Sequence, residues 1–268
     1  MNLSYWEIKN WFTNVDYTIV GSGIVGLHTA LRLRERFPES KILILEKGML
    51  PQGASTKNAG FACFGSISEI VEDLKSHSEE EVIQLIQKRW NGLQLLRKRL
   101  GDQTIDFKPY GGYELFLKDD ESNYSECVQK IQFINEIIKP IFKTDVFLKE
   151  FDRFNFKNIQ EYLIFNPFEA QIDTGNMMQA LLKAAISENI LILNQQTVTA
   201  FEEKQNGVDL AIGDFSFTTK KLLFATNGFA NQLIAQEVKP GRAQVLITEP
   251  IPNLHQRYFS YRQRLLLF

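Results

Sequence analysis

Gly21, Gly23 and Gly26 form a G-x-G-x-x-G run, and Glu46 follows twenty residues after the last of them. Residues of these types at this spacing can hold a dinucleotide. Gly21 permits a tight turn, Gly23 lets the backbone approach a pyrophosphate, and Gly26 lets a helix pack closely on a strand. Ser22, Ile24 and Val25 fill the variable positions. The free N–H groups and positive end of the helix that starts here would face the diphosphate. Glu46 is placed to accept a hydrogen bond from an adenosine ribose hydroxyl, and its charge disfavours a 2′-phosphate there. The run alone is common, and its specificity comes from context.

The elements needed to position these residues are legible around them. Residues 17–20 are a short apolar strand entering the glycine turn, and 27–36 read as the helix leaving it. Residues 42–45 are a second apolar strand that ends in Glu46. From 47 to 68 glycine and small residues dominate, which suits a loop held close to something. A long helix follows, with Ser78 and Glu81 as a capping box and Gly101 as its stop. Val82, Ile83, Leu85, Ile86, Trp90, Leu93, Leu96 and Leu100 lie on its apolar face.

Gly111-Gly112 opens a strand-like YELFL, and 124–138 is a second amphipathic helix, stopped before Pro140. Residues 147–168, rich in phenylalanine, follow neither period clearly. Asp173 caps a further apolar-periodic helix, and 190–193 is a buried strand. Residues 197–203, 208–212 and 215–218 read as a meander with turns at Asn206-Gly207 and Gly213-Asp214. Another buried strand, 222–226, ends in Thr226-Asn227-Gly228. A nucleotide-binding start, a long mixed insertion and a return to strand and helix units predict a discontinuous domain.

The 268 residues suffice for one large domain or two smaller ones. A net charge of −2 without a basic face argues against nucleic acid as a partner. No apolar run reaches the length of a membrane span. The start, MNLSYWEIKNWF, lacks the basic-then-apolar pattern of a signal peptide, and a cytoplasmic location is expected. Its aromatics are expected to pack against the first strand or a neighbouring domain. Cys63 and Cys127 form no C-x-x-C pair, which fits a reducing compartment rather than a disulfide framework. Cys63 reads as a small buried hydrophobe. His28, His77 and His255 have no metal-ligand spacing, so no metal is expected.

Four segments in order resemble the FAD-dependent amine and amino-acid oxidoreductases that include D-amino-acid oxidase, glycine oxidase and sarcosine oxidase. They are GSGIVG with Glu46, PQGASTKNAG (51–60), 171–182 with Thr197-Val198, and LLFATNG (222–228) followed by PGRAQVLITEP (240–250). The resemblance implies an α/β fold. A discontinuous FAD/NAD(P)-binding Rossmann-like domain would span 1–75 and 170–238. An α+β substrate domain with an antiparallel sheet would span 76–169 and 239–268.

The resemblance also implies roles. Gly21, Ser22, Gly23, Ile24, Val25 and Gly26 would hold the FAD diphosphate, and Glu46 with Lys47 the adenosine ribose. Ala54, Ser55 and Thr56 would line the diphosphate and flavin side. Val198 would meet the adenine through its backbone, and Thr226, Asn227 and Gly228 would form the second FAD-contacting turn. Lys57 and Arg242 are candidates on the substrate side: a fixed positive charge stabilises an anionic reduced flavin, and an arginine can grip a carboxylate bidentately. The implied activity is oxidation of a C–N bond of a small amine or amino acid by hydride transfer to flavin. Oxygen or another electron acceptor would regenerate the flavin. Family members continue past this point, so the terminus YRQRLLLF reads as a truncation, with a non-catalytic product as one alternative and a hydroxy substrate as another. An NAD-only dehydrogenase would leave the GAST loop and the TNG turn unexplained.

Overall fold

The computed structural model describes residues 3–234, 237–239, 241, 245–247, 258–261 and 264–267. The chain opens with a helical turn α1 (Tyr5–Glu7) running into a π-helical turn (Ile8–Phe12), then β1 (Val15–Val20), α2 (Ile24–Arg36) and β2 (Ile42–Leu45). It continues through β3 (Phe61–Ala62), α3 (Ile67–Ser76), α4 (Glu79–Leu100), β4 (Gly112–Glu114) and α5 (Glu121–Phe142). Next come β5 (Leu148–Phe151), β6 (Tyr162–Asn166), β7 (Ala170–Gln171), α6 (Thr174–Ser187) and β8 (Leu191–Leu193). The remaining strands are β9 (Val198–Lys204), β10 (Gly207–Ile212), β11 (Phe215–Phe224), β12 (Val245–Ile247), β13 (Tyr258–Tyr261) and β14 (Arg264–Leu267). These elements divide into two compact units, Met1–Lys57 with Thr174–Arg242, and Asn58–Asp173 with Ala243–Phe268.

The first unit carries a sheet in the order β8-β2-β1-β11-β10-β9. The four strands from β8 to β11 run parallel, and β10 and β9 close the sheet antiparallel. All four residues of β2 are buried, as expected of a parallel strand covered on both faces. α2 provides the crossover from β1 to β2 and packs against α6. The sequence places two strands at 215–218 and 222–226, but the structure joins them into the single strand β11. It changes partner at Thr219, which pairs antiparallel with Val208 on one side and parallel with Val15 on the other. Lys220 and Lys221 do not break the strand. Both are exposed, and Lys220 bonds Asp16 at 2.7 Å.

The N-terminal aromatics divide. Phe12 is buried against Phe215 and Phe217, with ring centroids 4.9 and 5.0 Å away. Tyr5 and Trp6 are exposed, so neither packs against the first strand.

The second unit has a mixed sheet, β12-β14-β13-β4-β6-β5, and a separate β3-β7 pair. Helices α3, α4 and α5 contribute Ile67, Val82, Ile86, Ile134 and Ile138 to a core shared with Phe116 and Ile164. Asn135 is buried within α5 and bonds the next segment at three points: its Oδ1 accepts from Val146 N and Phe147 N, and its Nδ2 donates to Phe147 O.

Three expectations need correction here. First, the glycine-rich stretch does not last to Ser68, because α3 begins at Ile67 on a second capping box, Ser66 with Glu69. Second, α5 runs through Pro140 to Phe142. The carbonyl that Pro140 leaves without a helical donor belongs to Glu136, an exposed residue, so water can satisfy it. The helix ends instead at Lys143, in the left-handed conformation. Third, Cys63, just past the end of β3, is exposed between the buried Ala62 and Phe64. Solvent reaches its surface, yet crowding around the sulfur desolvates the thiolate and, with the charges of Glu169 and Glu69, pushes the thiol up to about 12. A thiol so protonated is a poor nucleophile near neutral pH.

Candidate functional site

The glycine turn connects β1 to α2, and its geometry tolerates no side chain at two of three positions. Gly21 has φ +106°, and a Cβ there would lie 2.7 Å from Ala225 O. A Cβ on Gly26 would lie 2.0 Å from Gly21 O. A Cβ on Gly23 would meet only a side chain, Ser55 Oγ at 2.8 Å. The first two glycines therefore serve the packing of turn, helix and neighbouring strand. Gly23 leaves the room in which the Ser55 side chain reaches the helix start.

That helix start is capped from a distance. Gly23 is the N-cap residue of α2 and has no side chain to offer its amides. Ser55, in a short 3-10 turn (Ala54–Thr56), supplies the missing acceptor: Ile24 N donates to its Oγ at 2.9 Å. The Thr56 hydroxyl turns back into its own loop toward Pro51 O and Gly53 O. Ala54 and Lys57 are exposed, as are Val25 at the start of α2 and Lys47 after β2.

Glu46 is held at the carboxyl end of β2 by three donors. Ser22 N (2.9 Å) and Ser22 Oγ (2.6 Å) both donate to Oε2, and Gly48 N donates to Oε1 at 2.9 Å. A carboxylate has about four acceptor positions, two on each oxygen. Oε2 is saturated, and Oε1 keeps one lone pair for a ligand. Both donors of Ser22, which is fully buried, are spent on this acid.

On the other side of β1, β11 delivers Thr226, Asn227 and Gly228. Ala225 N donates to Val20 O at 2.9 Å, continuing the parallel ladder past the end of the strand. Asn227 has φ +49° and starts a 3-10 turn (Asn227–Gln232). Thr226 Oγ1 is buried and has no hydrogen-bond partner among the described residues. Val198 begins β9 and is buried in the sheet core.

The structure thus brings together the glycine turn, Glu46, Ser55 and Thr226. Arg242 lies outside the described residues. Sequence reasoning missed the cap that Ser55 makes on α2 and the two bonds by which Ser22 fixes Glu46. Glycine at the N-cap position was an available signal, because a helix start without its own side-chain acceptor must borrow one.

Parallel strand ends, a glycine turn at a helix start, an acid with one vacant acceptor and an orphaned threonine hydroxyl suit a dinucleotide. A sequence profile described as FAD dependent oxidoreductase matches residues 16–265. The chain belongs to that family. A curated relative, the bifunctional protein ThiO/ThiG of Synechocystis sp., is 23% identical over 264 residues, covering 92% of this chain and 35% of that protein.

Among solved structures, glycine oxidase from Geobacillus kaustophilus matches with a TM-score of 0.59 at 20% identity, over 81% of this chain and 56% of that one. Iminodiacetate oxidase from Chelativorans sp. BNC1 gives 0.60 at 16%, over 82% and 57%. L-Proline dehydrogenase from P. horikoshii gives 0.56 at 18%, over 83% and 55%. At these identities the likeness establishes the fold: a Rossmann-like FAD-binding architecture of mixed α/β type. The chain spans about a third of the curated relative's length and about half that of the solved chains. Among the described residues no helix is long and apolar enough to cross a membrane, and no cluster of three or more His, Cys, Asp or Glu could hold a metal ion.

Proposed function

We propose that this chain holds FAD in its first unit and oxidises the C–N bond of a small amine or amino acid. The observation that carries the reading is the constellation of glycine turn, Glu46, Ser55 and Thr226 at the carboxyl ends of parallel strands, where open α/β sheets bind their ligands. Gly21, Gly23 and Gly26 would let the diphosphate approach the start of α2, with the Val25 amide facing it and the Ile24 amide held by Ser55 Oγ beside it. Ser22 would keep Glu46 fixed so that the free lone pair on Oε1 meets a ribose hydroxyl. Lys47 would add a charge beside it, and Val198 would offer its backbone to the adenine.

Ser55 would sit between the helix start and the cofactor, with Ala54 and Thr56 lining the same side. Thr226 Oγ1 would gain the partner it lacks, alongside Asn227 and Gly228. Bound FAD would supply the electron acceptor, taking the hydride from the carbon beside nitrogen and leaving an imine for water to hydrolyse. The protein's part is orientation, exclusion of water and fixed charge, with Lys57 as a cationic candidate. The second unit would carry the substrate, and oxygen or another acceptor would reoxidise the flavin. The relatives' names (glycine oxidase, L-proline dehydrogenase, iminodiacetate oxidase) support an amino-acid or amine substrate.

The test is the visible spectrum of the purified chain, before and after adding FAD. A flavin spectrum that survives desalting, and bleaches anaerobically on adding an amine or amino acid, is expected. A protein that retains no flavin sinks the cofactor assignment. Retained flavin that no amine or amino acid reduces sinks the substrate class alone.

A further inference from the structure

Gln196 stands outside the roles assigned above, yet the backbone ties it to Glu46. Glu46 N donates to Leu193 O at 2.9 Å, Gln196 N to Glu46 O at 2.8 Å, and Gln195 N to Gly48 O at 2.9 Å. Gln195, at φ +58°, makes the bend that brings Gln196 back alongside. Residues 193–196 and 46–48 are therefore knitted together along the edge where the ribose-binding acid sits. The orientation of the Gln196 amide is set by its own bond, Nε2 to Asn194 O at 3.1 Å. This leaves Oε1 buried, with no donor among the described residues.

A buried acceptor without a partner bears the full cost of its lost hydration. The side chain as a whole is only half-buried, so the amide can swing toward a ligand lying over the turn. The bond from Nε2 to Asn194 O is kept through this movement, which fixes the amide's polarity and makes Oε1 the atom presented. Met49 and Leu50, the two residues after Gly48, are 64% and 61% exposed. Two large apolar side chains standing in water beside this turn suit the face of a flat heteroaromatic ring.

We propose that Gln196 is the base-selecting residue: its Oε1 accepts a hydrogen from the exocyclic amino group of adenine, with Met49 and Leu50 against the ring. The inference rests on the FAD reading and adds to it a preference among bases. Hypoxanthine and guanine carry a carbonyl oxygen where adenine carries its amino group. Either would set acceptor against acceptor at Oε1.

The experiment titrates the full chain, stripped of flavin, with FAD and with flavin hypoxanthine dinucleotide, following flavin fluorescence. Wild type should bind FAD about tenfold more tightly than the hypoxanthine analogue, the value of one good hydrogen bond. Gln196→Met, similar in length and unable to accept, should lose that tenfold for FAD and change little for the analogue. Equal losses for both ligands, or none for FAD, overturn the assignment to Gln196. If wild type binds neither ligand, the FAD reading fails and this proposal with it. The wild-type comparison alone still decides should the variant not fold: equal affinity for the two ligands overturns the proposal.

Discussion

Replacing Glu114 by glutamine should flatten the pH dependence of stability in the second unit. Glu114, on β4, is 6% exposed and reaches the start of α3. Its carboxyl accepts from Ser66 Oγ at 3.2 Å, from Ser68 N at 3.2 Å and from Ser68 Oγ. These bonds favour the ionised form, but burial opposes it more strongly and nearby Glu69 adds repulsion. The carboxyl is pushed up from 4.5 to about 7. Folding therefore prefers the protonated acid.

The stabilisation is fully present below the unfolded value of 4.5 and is lost as pH rises through 7. A rise of 4.5 to about 7, at about 1.4 kcal/mol per pKa unit, amounts to about 3 kcal/mol. For a protein of this size that is a shift of about 6–12 °C in melting temperature. Thermal unfolding of wild type and Glu114→Gln at pH 5 and pH 8 measures it, because the difference between the proteins cancels every other titrating group. Because pH 5 lies above the unfolded value of 4.5, wild type should lose about 2.5 kcal/mol relative to the variant between the two pH values. Parallel profiles would refute the reasoning. A wild type that gains on the variant as pH rises would mean that the three donors outweigh burial.

The glycines should separate by what their added methyl meets. Gly26→Ala drives a Cβ to 2.0 Å from a backbone oxygen and should cost at least about 3 kcal/mol, whereas Gly23→Ala meets the rotatable Ser55 and should cost about 1 kcal/mol. Melting curves without FAD distinguish them, and equal losses would count against this account. Glu46→Gln weakens the acceptor that Ser22 and Gly48 share, with an expected loss of about 1–3 kcal/mol in urea unfolding and weaker flavin retention. Asn135→Ala strips the acceptor from two buried amides and should destabilise by about 2–4 kcal/mol, so a wild-type urea midpoint would show those amides to be satisfied otherwise.

Features local in sequence were legible in it. β1, the glycine turn, α2, β2 and Glu46 each have a strong pattern and follow one another directly, as does the Ser78/Glu81 box at the start of α4. The same S-x-x-E signal at Ser66/Glu69 lay inside a glycine-rich stretch and was obscured by it. Pro140 misled because its cost depends on which carbonyl it strips, and Glu136 faces water. β11 was split at its lysines, since only the sheet shows that one half pairs with β10 and the other with β1. Ser55 on the start of α2 and Glu114 on the start of α3 join residues far apart in sequence, and no local pattern announces them.

The pairing of β1 with β11 has a consequence for synthesis. Val15 and Thr219, partners in the finished sheet, are 204 residues apart. Ribosomes add about 5–20 residues per second, so one edge of β1 waits about 10–40 s for its neighbour. β2 arrives early and covers the other edge. Meanwhile an apolar strand with unpaired amides is a template for any other chain nearby. The yield of native protein should therefore track translation speed across 58–173. Slower codons there should lower the recovered amount and leave the melting temperature of what is recovered unchanged.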